Sequence, residues 1–375
     1  MVGEIGKNMN AIFKWLLPLL VVLAAGFYWV WDERTNLIAT MVVSQLIENL
    51  DANDDGVLSE EEGFEGMFSL LDANGDGIAE HSELLTFIVR TTQPFRWSNP
   101  PEDPSQVHPG LSHETFYSER LDEDVGYNIY LPSDYASATA SSKRYPVIYY
   151  LHGGRPGNES LSIDLVDHVH EAVQSGSVSP LIFVWVNGGE VSHYNYAQSP
   201  GEDVFIKELI PHIDATYRTI AARDGRALQG FSQGGRGVTR IMFKYPELFV
   251  SAAPGGAGYA VEKLIQANGG VEVDTRQGAN AVALDFGAGN DAYSLAERYA
   301  NNLDERTLHI MIWGGERGFN YDAILEYVEY LDGLGVQTDR LFAPTVDHNP
   351  FLFYAARGIE LLRFHDRYWG KSPVS

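Results

Sequence analysis

The sequence predicts an α/β protein: a doubly wound, mostly parallel sheet preceded by a small all-α segment and an N-terminal hydrophobic helix. Three observations carry this. From about residue 113 onward, short buried-strand runs alternate with amphipathic helical stretches, two acidic Gly-centred loops follow one another between 51 and 83, and an uncharged apolar run extends from Trp15 to Trp31.

A chain of 375 residues with 45% hydrophobic and 21% charged residues has ample material for a large core and lacks the composition of a disordered chain or a fibre. Its net charge of −25 repels phosphate backbones, so nucleic acid is not an expected partner. With no cysteine, disulfides, thiolate metal sites and a Cys nucleophile are excluded.

The apolar run WLLPLLVVLAAGFYWVW is preceded by Lys7 and Lys14 and followed by Asp32 and Glu33. Basic before and acidic after places the bulk of the chain across the membrane, so the protein is expected to be exported, facing the periplasm or exterior. At about 1.5 Å per residue the run reaches roughly 26 Å, the short limit of a span. Residues 1–34 therefore read as a signal peptide, cleaved near Ala24-Ala25-Gly26 to release a secreted protein, or as an uncleaved anchor held by Phe27, Tyr28, Trp29 and Trp31.

Residues 51–62, DANDDGVLSEEE, place Asp51, Asn53, Asp55, Ser59 and Glu62 at positions 1, 3, 5, 9 and 12 of a twelve-residue loop. Gly56 sits where the chain must turn sharply, and Val57 offers its backbone carbonyl. Residues 72–83, DANGDGIAEHSE, repeat the plan with Asp72, Asn74, Asp76, Gly77, Ile78, Glu80 and Glu83. Calcium is a hard cation that takes six to eight oxygens, and this order supplies them, ending on a bidentate Glu. The pair resembles tandem EF-hands, which implies two structural Ca²⁺ sites over residues 36–90. Only Gly63–Leu71 separates the loops, room for one helix of about two turns. Ala79 stands where a larger apolar residue usually pairs such loops.

Residues 91–112, with Pro94, Pro100, Pro101, Pro104 and Pro109 and no apolar period, read as an extended linker to a domain over 113–375. In that domain Tyr145–Leu151, Leu181–Val186, Ala227–Gln229, Phe249–Ala253 and Leu308–Trp313 read as buried strands, with helices over Val204–Ala215 and Ile324–Leu334 between them. Function in such sheets sits at the carboxyl ends of the strands.

Three pieces of chemistry fall at those ends. Gly230-Phe231-Ser232-Gln233-Gly234 follows a strand and opens a helix, so its glycines permit a tight turn that presents Ser232, with the Gln233 amide able to face an oxyanion. Leu151-His152-Gly153-Gly154 also follows a strand, and its small residues let the amide of Gly153 or Gly154 serve as the second oxyanion donor. Asp347-His348-Asn349 ends the strand-like Leu341–Val346, and of the 11 histidines His348 is the one placed to act as general base toward Ser232.

With the LHGG loop and Asn158-Glu159-Ser160, FIKELIPHIDATYRT at 205–219, GFSQGG, KYPELF at 244–249 and the late DHN, residues 113–369 resemble the esterase D / enterochelin esterase-like branch of the α/β-hydrolases. The resemblance implies a serine esterase with a Ser-His-acid triad and no catalytic cofactor. It departs at the acid: the usual Asp position falls on Gly318. Glu316 is the expected acid, with Asp322 and Asp291 in reserve.

The expected function is an exported serine esterase acting on a small-molecule or carbohydrate-linked ester, with a calcium-binding N-terminal module and membrane attachment if the first segment is retained. Tyr194, Tyr196, Phe319 and Phe351 are candidates for stacking on a sugar or phenolic group. The alternative is a catalytically disabled hydrolase fold acting as a calcium-dependent binding or scaffold protein, for which the missing Asp speaks.

Overall fold

The computed structural model describes residues 34–62, 66, 68–72, 76–91, 95–140, 142–197, 199–274, 282–302 and 308–370. The apolar N-terminal run and Asn74 lie outside the described residues. Among the described residues no helix is long and apolar enough to cross a membrane. The chain separates into two compact units, one drawn from the residues up to 93 together with Val271–Asp285, the other from the remainder.

In the first unit, helices α1 (Arg34–Leu50) and α2 (His81–Thr91) bury Val43, Leu46, Leu84 and Ile88 against Leu58, Phe68 and Leu71. Strands β1 (Leu58–Ser59) and β2 (Ile78–Ala79) pair antiparallel, with Leu58 opposite Ala79 and Ser59 opposite Ile78. The small Ala79 is fully buried in that pair, so its size does not prevent the two loops from joining. Between the loops the described chain forms a 3-10 turn over Phe68–Leu70. The same unit contains the antiparallel hairpin β11 (Val271–Asp274) with β12 (Val282–Asp285).

The second unit is built on an eight-stranded sheet in the order β14-β13-β10-β9-β5-β6-β4-β3. These are β3 (Leu111–Ser118), β4 (Glu123–Tyr130), β5 (Val147–Leu151), β6 (Ile182–Val186), β9 (Arg226–Phe231), β10 (Ser251–Gly255), β13 (His309–Gly315) and β14 (Asp339–Ala343). From β14 to β6 the neighbours are parallel; β4 and β3 are added antiparallel at one edge. A short pair, β7 (Asn195–Tyr196) with β8 (Ser199–Pro200), lies outside this sheet.

Strand alternation divides the core in two. Val147, Tyr149 and Leu151 face one side with Val238, Ile241 and Ile324, whereas Ile148 and Tyr150 face the other with Val166, Val169 and Leu361. Both faces are covered, which is why the parallel strands read as continuous apolar runs rather than alternating ones. The first face is covered by α5 (Gly201–Val204), α6 (Ile210–Thr216), α7 (Gln233–Lys244), α9 (Ala292–Ala300) and α10 (Tyr321–Gly333). The second is covered by α4 (Val166–Gln174) and α11 (Pro350–Asp366). The expected helix at Val204–Ala215 is continuous through a π-type turn at Phe205–Leu209. Pro211 follows it; lacking an N–H, Pro211 cannot return the usual bond to the preceding turn, and the wider turn accommodates the loss.

The stretch read as an extended linker is in part docked on this unit. A short helix α3 (Pro104–Val107) is capped by Asp103, Trp97 is buried, and its carbonyl accepts from Gly126 N at 2.7 Å. Asn99 bonds the buried Glu159 through its backbone N and through Nδ2 at 3.1 Å. The proline content hid this because anchoring runs through Arg96, Trp97 and Asn99 rather than through an apolar period.

Candidate active site

Parallel registry brings the ends of five strands to one side. Leu151 pairs with Gly230, Phe231 with Gly255, Gly255 with Trp313 and Gly315 with Ala343, so the residues that follow each strand meet. Ser232 follows β9 with φ 58° and ψ −115°, a left-handed conformation that costs a non-glycine residue about 1–3 kcal/mol and is typical of a strained functional turn. Its N–H donates to Gly255 O at 2.8 Å and its carbonyl accepts from Arg236 N at 3.1 Å, which lock the turn between β10 and α7. Gly234 is required because α7 presses on the end of β5: a Cβ there would run into the carbonyl oxygens of Leu151 and His152.

The LHGG loop lies beside this turn. A Cβ at Gly153 would stand 3.4 Å from Ser232 Cβ, and Gly154 has φ +79°. The loop is braced by two buried histidines. His152 Nε2 accepts from Gly188 N at 3.1 Å, so Nδ1 carries the proton and donates to Gly153 O at 2.9 Å. His193 Nε2 donates to His152 O at 2.9 Å. Burial lowers His152 to about 4 and His193 well below its ordinary value, so both act as neutral struts. The geometry thus gives His152 a scaffold role, and His193, which had no sequence signal, shares it. Gln233 begins α7; first-turn amides of a helix have no intrahelical acceptor.

His348 Nε2 lies 2.9 Å from Ser232 Oγ. The imidazole is 6% exposed, flanked by Phe231 at 4.6 Å and Phe319 at 4.5 Å between ring centroids. Burial pushes it down to about 3. Asn349 caps α11, accepting from Phe351 N and Leu352 N, and Pro350 fills the first helical turn; this fixes the chain immediately after His348.

The expectation for the third member is corrected by the geometry. Glu316 has an exposed side chain and is not the group on His348 Nδ1; Asp322 is also exposed, and the buried Asp291 caps α9 by accepting from Ser294 N. The atom facing Nδ1 is Asn320 Oδ1, at 3.2 Å. Asn320 is buried, and its Nδ2 donates to Gly256 O and, at 3.2 Å, to Ala257 O. The physical reason is local. β13 ends at Gly315, after which residues 316 and 317 turn outward, while Gly318 comes back beside His348. A Cβ at Gly318 would stand 3.3 Å from Asn320 Oδ1 and 3.5 Å from His348 N. Asn320 fills from two residues downstream the space a side chain at 318 would take. An amide at this place carries no carboxylate signal in the sequence.

Behind α7 lies a buried charge cluster that the sequence did not announce. Arg236 Nε stands 2.7 Å from Glu262 Oε1 on α8 (Tyr259–Ala267), Arg236 Nη1 donates to Gln233 Oε1 at 2.9 Å, and Glu262 Oε2 accepts from Ala292 N at 2.8 Å. Tyr194 donates to Glu262 and lies under Arg240, whose guanidinium carbon is 3.2 Å from the ring centroid. Tyr194 is therefore spent on packing. Of the four aromatic candidates Phe319, 63% exposed and against His348, is the one at the surface of the site; Tyr196 and Phe351 are half-buried.

In the acidic loops the turn residues are in place: Gly56 and Gly77 have φ +85° and +92°. Asp51 Oδ2 accepts from Gly56 N at 2.7 Å, and Asp72 Oδ2 from Gly77 N at 2.9 Å, the same relation in both loops. Asn53 accepts from Asp55 N, Asp55 from Val57 N and Asp76 from Ile78 N. Glu62 accepts from Ala52 N, Ser59 N and Ser59 Oγ, and Glu83 from Glu80 N. The Ser59 amide and hydroxyl hold Glu62 below the usual carboxylate range. Among the described residues no group of three or more His, Asp or Glu side chains is gathered closely enough to hold a metal ion. The donors are nonetheless the hard oxygens calcium takes, and a carboxylate oxygen that accepts one amide retains a second lone pair.

Comparison with known proteins agrees with the fold. Residues 118–259 match the family model described as a putative esterase. An esterase of Mycobacterium tuberculosis (strain ATCC 25618 / H37Rv) is 32% identical over 157 residues, which is 40% of this chain and 33% of that protein. An endo-1,4-beta-xylanase/feruloyl esterase of Xylanibacter ruminicola is 30% identical over 155 residues, 38% of this chain and 21% of that protein. The aligned region thus spans a third or less of these curated relatives. Among solved structures, a ferulic acid esterase superposes with a TM-score of 0.56 at 21% identity, covering 69% of this chain and 98% of that one. The Staphylococcus aureus fluorophosphonate-binding serine hydrolase F superposes with a TM-score of 0.53 at 19% identity, covering 67% and 97%. The second unit has an α/β-hydrolase-like fold.

Proposed function

We propose that the protein is a serine esterase that hydrolyses carboxylic esters at Ser232. The observation that carries this reading is the 2.9 Å approach of His348 Nε2 to Ser232 Oγ, with Ser232 held in a left-handed turn at the strand ends. His348 takes the Ser232 proton as Oγ attacks the ester carbonyl. The amides of Gln233 and of Gly153 or Gly154 hold the oxyanion. The protonated imidazole then gives its proton to the departing alcohol. A water, deprotonated by the same nitrogen, releases the acid from the acyl-enzyme. Exposed Phe319 beside His348 supplies an apolar face for the substrate, and the names of the relatives favour carbohydrate-linked or phenolic esters.

The test is hydrolysis of p-nitrophenyl acetate and butyrate by the purified protein and by Ser232→Ala, with a fluorophosphonate label. Turnover lost in Ser232→Ala, with the label on Ser232, supports the esterase. No turnover and no label favours the second reading, a disabled hydrolase fold used for binding, to which the neutral Asn320 gives some support.

Calcium at the two loops, export and membrane attachment through the N-terminal run are further parts of the proposal. They rest on the sequence order of donors and on the charge flanking the run. Asp51, Asn53, Asp55, Val57 O, Ser59 and Glu62 would hold one ion, and Asp72, Asn74, Asp76, Ile78 O, Glu80 and Glu83 the other. The ion's role would be to tie the loops together.

A further inference from the structure

The geometry points to a serine–histidine–asparagine relay whose third position is built for an amide and does not suit a carboxylate, with Asn320 as the positioning residue of His348. The inference rests on the esterase reading and concerns how that site is tuned.

Three observations carry it. First, Gly256 O and Ala257 O are pure acceptors, so Nδ2 must be the end of Asn320 that faces them. Oδ1 is then the end that faces His348 Nδ1 at 3.2 Å, which places the proton on Nδ1 and leaves Nε2 free to accept from Ser232. The productive tautomer is thereby set without a negative charge. Second, an aspartate here would turn a carboxylate oxygen onto the same two carbonyls, a buried acceptor-to-acceptor contact with no proton between them. Third, those carbonyls belong to the turn after β10, which also positions the nucleophile. Gly256 N donates to Trp313 O at 2.9 Å, and Gly255 O accepts from Ser232 N at 2.8 Å. One side chain therefore fixes the base and the strand end that holds the nucleophile.

The surroundings of His348 complete the case. Phe231 and Ser232 face it from the end of β9, and Phe319 and Asn320 from the loop after β13. The charged residues of that loop, Glu316 and Arg317, are exposed, as is Asp322 in the first turn of α10. Asp347, its chain neighbour, is buried, and its carbonyl accepts from Asn349 N. Burial sets His348 low.

The experiment compares Asn320→Ala and Asn320→Asp with the wild-type chain, using p-nitrophenyl acetate across pH 4–9. We expect Asn320→Ala to lower kcat by about 100-fold or more with KM within threefold, on the scale seen when the orienting group of a triad is lost. Asn320→Asp is expected to lower kcat/KM at pH 7 by about tenfold or more. An Asn320→Asp enzyme as active as the wild type or better, with its acid limb moved up toward pH 6–7, would overturn the inference, since the position would then be an ordinary acid site that has lost its charge. So would an Asn320→Ala enzyme with wild-type kcat. Should either variant fail to fold, ¹⁵N-imidazole NMR of the wild type decides: a neutral ring protonated on Nδ1 at pH 6–7 supports the relay, and a ring protonated on Nε2 or doubly protonated sinks it. A chain in which Ser232→Ala retains full activity refutes the esterase reading itself. Loss with Ser232→Ala but not with Asn320→Ala refutes this inference alone.

Discussion

Arg236 on α7 and Glu262 on α8 form a buried ion pair, 2.7 Å from Nε to Oε1, at the start of the helix that follows Ser232. Burial works against the Glu262 charge, yet Arg236 and Arg240 outweigh it and hold the carboxyl below its usual range. Because Arg236 also donates to the Gln233 side chain, the pair fixes the first turn of α7, which carries the amide proposed to hold the oxyanion. Replacing one partner strands the other. Glu262→Gln is expected to destabilise the second unit by about 3–5 kcal/mol in urea unfolding. A double change to apolar residues of similar volume should cost less than the two single changes summed. A Glu262→Gln protein with a wild-type midpoint would show that the cluster is energetically idle.

Gly234 gives a sharper test of packing at the turn. Its hydrogen occupies the only space between α7 and the carbonyls of Leu151 and His152, and both obstacles are backbone. Gly234→Ala should therefore lift the helix from β5, separate the Gln233 amide from the 153–154 loop, and lower kcat by at least tenfold. The control is Gly333→Ala, which meets nothing within 4 Å and should leave activity unchanged. Equal activity in the two variants would mean that the close approach is not needed.

Much of the site was readable in the sequence because its parts are local. The G-x-S-x-G turn, the LHGG loop and the His before an Asn-Pro helix start each obey a short-range rule, and registry of a parallel sheet then brings them together. Asn320 was not readable. Its role depends on where a turn after β13 returns, and on two carbonyls from the turn after β10 that lie over sixty residues away in sequence. Glu262 and His193 were hidden for the same reason: on an amphipathic helix or in a loop, a polar residue looks solvated until its partners are placed. The docking of Trp97 and Asn99 was obscured by prolines that suggested an extended linker.

Stability should fall on mild acidification, and the sign follows from four histidines. His152 and His348 are lowered to about 4 and 3, His365 to about 3, and His193 well below its ordinary value, all chiefly by burial. An unfolded histidine binds its proton near pH 6.5. Between that value and the folded values the unfolded chain holds more protons, so stability is complete above about pH 6.5 and declines as pH drops through the window toward 4. Each group contributes up to about 1.4 kcal/mol per pH unit there. Urea midpoints at pH 7.5, 6 and 5 should fall in that order. For activity the sign is different: His348 must be neutral to act as base, so kcat/KM of the surviving folded protein should hold its plateau below pH 6.5. An inflection of kcat/KM near 6.5 would contradict a buried, uncharged base.

The acidic loops make the last prediction. Each has its left-handed glycine, its Asp-to-Gly amide bond and a terminal Glu turned back on its own loop, and the two are joined through Leu58 and Ala79. If calcium binds them, it binds the folded unit in preference to the unfolded chain, and mass action must raise that unit's melting temperature. With an affinity near 10⁻⁴ M, as modules outside the cytosol can have, 1 mM calcium would add about 1.4 kcal/mol per site. Differential scanning calorimetry in EGTA and in 1 mM calcium should resolve such a shift, with magnesium giving a smaller one because it tolerates only a tight octahedral set of ligands. Glu62→Gln with Glu83→Gln removes the bidentate ligand from both loops and should abolish the shift while leaving the EGTA transition near its wild-type position. An identical transition in EGTA and in 10 mM calcium would leave these loops as acidic turns tied by their own amides.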